Sequence, residues 1–140
     1  MALPSHLALE IVTPERAIVH EEVDEVQIPG TEGYFGVLPG HTPLLALLGV
    51  GQLWYRKGTE KTYLSINSGV VEVMPDRVII LAATAERPEE IDLERARTAL
   101  KRAEERLAAH ARDLDMEREH LAVLRAQTRI GVATRARTRE

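Results

Sequence analysis

Hydrophobic and polar positions follow two rhythms along this chain, and the change falls near Glu86-Arg87-Pro88. Before it, apolar residues alternate with others at Leu7, Leu9 and Ile11, at Val71 and Val73, and at Val78 and Ile80. A period of two marks a strand with one buried face. Turn-forming clusters separate the runs: Thr13-Pro14-Glu15, Pro29-Gly30-Thr31-Glu32-Gly33, Leu38-Pro39-Gly40, Arg56-Lys57-Gly58-Thr59 and Met74-Pro75-Asp76-Arg77. Many short strands at this spacing predict a β-sandwich or barrel. After Pro88 the apolar positions Leu93, Ala96, Leu100, Ala103 and Leu107 recur every three or four residues, which lines one stripe of a helix. Pro88, Glu89, Glu90 and Asp92 put a helix-opening proline and acids at its start. A break is expected between His110 and Asp115, where Asp113 and Asp115 can cap a second helix carrying Leu121, Leu124 and Thr128 on one face. Two helices with a short connection make an antiparallel hairpin. The expected class is therefore α+β, with a β-sandwich over residues 1–86 and a C-terminal two-helix hairpin over 87–140.

Composition narrows what such a chain does. Its 140 residues carry a formal charge of -4 and no cysteine. Without cysteine there are no disulfides, thiolate zinc sites or thiol nucleophiles, and the acidic balance argues against nucleic acid as the main partner. No apolar run reaches the roughly 18 residues of a membrane span. The opening Met1-Ala2-Leu3-Pro4-Ser5-His6 lacks the basic and apolar regions of a signal peptide. No direct membrane insertion is expected. Residues 1–86 hold 5 basic and 11 acidic side chains, whereas residues 87–140 hold 13 and 11. Arg125, Arg129, Arg135, Arg137 and Arg139 all follow Glu119, the last acid before Glu140. This cationic end is either a solvated turn that complements a helix dipole or a surface that docks on an acidic protein, and both readings stand.

Catalytic signatures are missing. Gly58-Thr59-Glu60-Lys61-Thr62 has a Lys-Thr pair but no glycine directly before Lys61, so it cannot form a phosphate-cradling loop. Gly49-Val50-Gly51 precedes a strand-like run and is predicted to be a turn. The histidines, at 6, 20, 41, 110 and 120, are never three or four apart, so helical metal-ligand spacing is absent. His41 lies in a constrained turn without a neighbouring nucleophile or carboxylate, as a braced loop histidine would. No catalytic residue, metal site or catalytic cofactor is expected.

One string is unusual: Tyr34-Phe35-Gly36-Val37-Leu38-Pro39-Gly40-His41-Thr42-Pro43-Leu44-Leu45. It resembles the signature of the epsilon subunit of bacterial and chloroplast F-type ATP synthase. The opening Leu9-Glu10-Ile11-Val12-Thr13-Pro14-Glu15, the stretch Asn67-Ser68-Gly69-Val70-Val71-Glu72-Val73, and Val78-Ile79-Ile80-Leu81-Ala82 before Ala85-Glu86 agree with it. The resemblance implies a non-catalytic rotor part of the F1 sector, peripheral on the cytoplasmic face of the bacterial membrane. Its sandwich would touch the gamma subunit and the c-ring. Its mobile hairpin would lie folded, or extend along gamma toward the alpha and beta subunits and brake ATP hydrolysis. Apolar positions at Tyr34, Phe35, Leu38 and Leu44 to Leu48 serve either as a docking patch or as core. The hairpin's alanines (96, 99, 103, 108, 109 and 111) bury little area each, which suits a detachable element.

Ile91-Asp92-Leu93-Glu94-Arg95-Ala96 resembles the I/L-D-x-x-R-A motif with which some bacterial epsilon subunits bind ATP. Carried over by position, the resemblance implies a regulatory ATP site from Glu86, Ile91, Asp92, Arg95, Ala96, Arg102, Arg125 and Arg129. Arg95 and Arg102 are seven apart and share a helical face, and Arg125 and Arg129 are four apart and share another. Four guanidiniums brought together suit a triphosphate. Ile91 and Ala96 would wall the adenine ring, and Asp92 and Glu86 would accept from its amino group or the ribose hydroxyls. In the plain alternative, Arg95 and Arg102 pair with Asp92, Glu94, Glu105 or Glu119 on solvated helix surfaces. The leading expectation is thus a non-catalytic subunit that couples gamma to the c-ring and restrains hydrolysis, with ATP as its regulatory ligand. A stand-alone ATP-sensing module on a sandwich scaffold, or an enzyme using scattered acids, are the alternatives.

Overall fold

The computed structural model describes residues 3–109 and 115–138, with side chains as far as residue 135. By internal contacts the chain divides into two compact units, Met1–Glu86 and Arg87–Glu140. The first contains β1 (Leu7–Val12), β2 (Ala17–Val23), β3 (Glu25–Gly30), β4 (Gly33–Val37), β5 (Leu44–Lys57), β6 (Glu60–Met74) and β7 (Arg77–Glu86). These hydrogen-bond in the order β2-β1-β7-β6-β5-β3-β4. β1 and β7 run parallel and the other neighbours antiparallel.

A change of side-chain parity turns this one sheet into a sandwich. β5 buries Leu48, then Leu53 and Tyr55; β6 buries Leu64 and Ile66, then Val71 and Val73; β7 buries Val78, Ile80 and Ala82, then Ala85. Successive strand residues face opposite sides, so an odd step between buried positions means that the strand has turned over. All three switches fall on one line, because Leu48 pairs with Gly69 and Gly69 with Ala82. The sheet is creased there. Ser68 and Gly69 have φ of 51° and 133°, and a Cβ on Gly69 would collide with the Leu81 carbonyl oxygen. The backbones at the crease approach so closely that only glycine fits. Gly49-Val50-Gly51 is not the turn its sequence suggests: it lies inside β5, where a Cβ on Gly49 would crowd the Gly30 carbonyl oxygen and one on Gly51 would collide with Tyr34 and Pro29.

Creasing brings the inner faces of the two halves together. Leu7, Leu9, Ile11, Val71, Val73, Val78 and Ile80 from one half meet Val26, Ile28, Val37, Leu53, Tyr55, Leu64 and Ile66 from the other in one core. The alternating residues read from the sequence are these inward-facing positions. At one end Asp24 joins three segments. Its Oδ1 lies 2.9 Å from His6 Nδ1, and its Oδ2 accepts the Gly58 N–H at 2.7 Å. Beside it Arg56 Nε donates to Glu25 Oε1 at 3.0 Å.

The second unit holds a 3-10 turn at Pro88–Glu90, then α1 (Leu93–Ala109) and α2 (Met116–Thr138). Pro88 therefore opens the short turn rather than α1. The cap of α1 is Asp92, whose Oδ1 accepts the Arg95 N–H at 3.0 Å. Asp115 caps α2 in the same way, accepting the Arg118 N–H at 3.1 Å. Asp113, the other expected cap, lies outside the described residues.

Candidate functional site

The two helices pack along a seam of small residues. α1 buries Leu93, Ala96 and Ala103, with Leu100 and Leu107 half-buried on the same stripe, as the period predicts. α2 follows its predicted face only in part. Thr128 is buried, and so is Val132 close to it in angle, but Leu121 and Leu124 nearer the start of the helix are 41% and 42% exposed; the other buried residues are Glu119, Ala126 and Ala133. Arg106 Nη1 lies 3.5 Å from Glu119 Oε2, joining the end of α1 to the start of α2 and fixing the pair as antiparallel.

At about 100° per residue Arg95 and Arg102 stand about 120° from the buried stripe of α1, whereas Arg125 and Arg129 fall inside the buried arc of α2, between Ala133 and Val132. Taking Arg106 and Glu119 as a common level, Arg102 stands beside the turn of α2 that carries Arg125, and Arg95 beside the turn that carries Arg129. Arg95 and Arg102 are exposed, and Arg125 and Arg129 half-buried.

The other expected site residues have definite places. Asp92 is exposed and engaged as a helix cap. Ile91 and Ala96 are only 7% and 2% exposed. Side chains so buried offer little surface to wall a ring, contrary to the role expected of them. Glu86 ends β7 opposite Ser65, in the sandwich unit. Of the acids that could occupy surface arginines, Glu94 goes to Arg97 at 3.1 Å and Glu119 to Arg106. His41 is a braced loop residue: its Nδ1 lies 2.6 Å from the Thr42 carbonyl, and its N–H closes the turn onto the Leu38 carbonyl at 3.1 Å with Gly40 at φ 87°. Among the described residues no cluster of three His, Asp or Glu is arranged to hold a metal. No described helix is long and apolar enough to cross a membrane.

The sandwich has a second notable surface. Register aligns Leu47, Val70, Leu81 and Val12 across four strands, on the face opposite the buried residues of those strands. Leu47 and Leu81 are 61% and 51% exposed, and Leu45 is 72% exposed. At the end of the band a groove of about 440 Å³ runs between Val12, Thr13, Pro14, Gly69, Leu81, Ala82 and Ala83. The two readings of the apolar string thus divide: Leu48 is core, Phe35 and Ala46 are partly buried against it, and Tyr34, Leu38, Leu44, Leu45 and Leu47 are exposed. The band itself is not evident from residues 34–48. Its sequence signal is the loss of alternation in Val70-Val71 and in Val78-Ile79-Ile80-Leu81-Ala82-Ala83, where both faces of a strand are apolar.

The sandwich thus carries an apolar outer band, and the hairpin carries exposed Arg95 and Arg102. Residues 6–88 match the family described as ATP synthase, Delta/Epsilon chain, beta-sandwich domain, and residues 89–134 the one described as ATP synthase, Delta/Epsilon chain, long alpha-helix domain. The ATP synthase epsilon chain of Solibacter usitatus is 53% identical over 102 residues, spanning 73% of this chain and 76% of that one. The ATP synthase epsilon chain 2 of Syntrophotalea carbinolica is 57% identical over 101 residues, 72% and 73% of the two chains. Among solved structures, a chain of the Euglena gracilis mitochondrial ATP synthase, OSCP/F1/c-ring in rotational state 1, superposes with a TM-score of 0.82 at 25% identity, covering 96% of this chain and 84% of that one. A chain of the Tetrahymena thermophila mitochondrial ATP synthase central stalk and c-ring shares the fold, with a TM-score of 0.60 at 15% identity over 96% and 98% of the two chains. The chain belongs to the ATP synthase delta/epsilon family, as a non-catalytic subunit.

Proposed function

We propose that this chain works in the central stalk of a bacterial F-type ATP synthase, on the cytoplasmic face of the membrane, linking gamma to the c-ring. In this reading its hairpin restrains ATP hydrolysis by reaching the alpha and beta subunits. The aligned band of Leu47, Val70, Leu81 and Val12 supports docking of the sandwich on gamma, since burying an exposed leucine contributes about 1.5–3 kcal/mol. Leu47→Asp then weakens capture of gamma by about tenfold or more in a pull-down from reconstituted subunits. Undiminished capture would remove gamma from this face.

ATP is the regulatory ligand in this proposal. What supports it is that α1, with Arg95 and Arg102 exposed, packs antiparallel on α2, with Arg125 and Arg129 half-buried. Guanidiniums so placed can share the oxygens of a triphosphate. A ligand that bridges both helices favours the paired state by its differential affinity, and ATP so bound keeps the brake disengaged. Each charge-assisted contact contributes about 1.5–3 kcal/mol. Arg95→Ala and Arg125→Ala each therefore weaken ATP binding by roughly 10- to 100-fold in titration calorimetry of the isolated chain. Equal affinity in the variants would leave the nucleotide site without support.

A further inference from the structure

The groove beside the apolar band arises where two neighbouring strands part. β1 ends its parallel pairing with β7 at Val12 and Leu81 and turns away at Thr13-Pro14, where the Thr13 N–H donates to the Arg16 carbonyl at 2.9 Å. β7 runs on to Glu86. The gap between them is lined at the crease by Gly69 and Ala82, whose side chains are too small to fill it. Its walls are almost wholly apolar, and the one hydroxyl among them, Thr13 Oγ1, already donates to the Arg16 carbonyl at 3.2 Å. Small-molecule sites orient their ligands with a few placed polar groups, and this groove has no free polar side chain. It suits a bulky apolar side chain carried in by a protein that covers the band, because anchors buried in such pockets supply most of an interface's binding energy. Charge marks the other side of the band. Two residues along the strands, about 7 Å away, register aligns Leu45, Glu72, Ile79 and Glu10 on the same outer face. Glu72 is exposed and makes no ion pair among the described residues, and Glu10 Oε1 lies 3.0 Å from His20 Nδ1. Neither aligned row holds a Lys or Arg, so a second copy of this face offers the two carboxylates no cation, and an anionic lipid surface is repelled by them.

We propose that the groove and the acidic row read two features of one partner surface: a bulky apolar side chain that enters between Pro14 and Ala83, and a Lys or Arg that meets Glu72 and Glu10 on the opposite side of the band. The inference rests on the docking of gamma proposed above and names the chemistry that gamma brings to it. Because anchor and cation fall on opposite sides of an otherwise uniform apolar band, together they fix one orientation of the partner across the strands.

The kinetics of association and release between the full chain and reconstituted gamma test this. Ala83→Phe fills the groove from within, and Pro14→Asp puts a carboxylate on its rim; both positions are exposed, so neither change reaches the core. Each raises the dissociation constant about tenfold or more, mostly through faster release, while Ala83→Ser stays within about twofold of the native chain. Glu72→Lys slows association and flattens its dependence on salt. Native affinity in both Ala83→Phe and Pro14→Asp overturns the anchor, and unchanged association and salt dependence in Glu72→Lys overturns the cation. If Leu47→Asp weakens capture while all of these variants bind as the native chain does, gamma covers the band and the inference drawn from the groove and the acidic row is overturned. If the native chain does not capture gamma, the docking reading fails and this inference fails with it.

Discussion

Asp24 shows how much work one half-buried carboxylate can do in a small sandwich. The Gly58 N–H, then the hydrogen bond with His6, hold its pKa below the ordinary carboxylate value, with smaller help from the charges of His6 and Arg56. A carboxyl whose folded pKa is lowered adds stability above its unfolded pKa, and that stability is lost as pH falls through the folded value. Asp24→Asn therefore reduces stability at neutral pH and flattens the fall below about pH 4, as urea unfolding at stepped pH values would record. A variant with the same acid limb as the native chain would exclude Asp24 from that fall. None of these contacts is legible in the sequence, because His6, Asp24 and Gly58 are far apart in the chain and meet only through the fold. Asp92 is the opposite case. It stands one residue before α1 and its capping role follows from local position alone.

At the scale of elements, legibility followed periodicity and failed where a tertiary constraint overrode it. Leu7, Leu9 and Ile11 in β1 and the α1 stripe are regular over their whole length, so the buried face can be read directly. β5, β6 and β7 each turn over at the crease, and a period count across them averages two opposite faces. The Gly49-Val50-Gly51 segment looks like a turn for the same reason: close backbone approach and chain reversal both demand glycine. In α2 the large residues Leu121 and Leu124 attract a hydrophobicity-based reading, while the buried residues are Glu119, Ala126, Thr128, Val132 and Ala133. Thermal unfolding distinguishes the two faces. Ala126→Leu overpacks the seam and costs about 1–3 kcal/mol, whereas Leu124→Ser stays within about 0.5 kcal/mol. The reverse order of effects would restore the leucine face as the packed one.

For the whole molecule, family and fold class were legible because Tyr34 to Leu45 and the switch of period at Glu86 are both local signals. The candidate site was legible as residue types only. How Arg95 and Arg102 stand to Arg125 and Arg129 depends on the direction of helix pairing, which the Arg106–Glu119 contact reveals only in the structure. The proposed brake is likewise a property of the assembled machine. It is tested by the rate of ATP hydrolysis in complexes assembled with residues 1–86 alone and with the whole chain. The account predicts faster hydrolysis without the hairpin, with assembly and proton-driven synthesis preserved. Equal hydrolysis by the two complexes would contradict it.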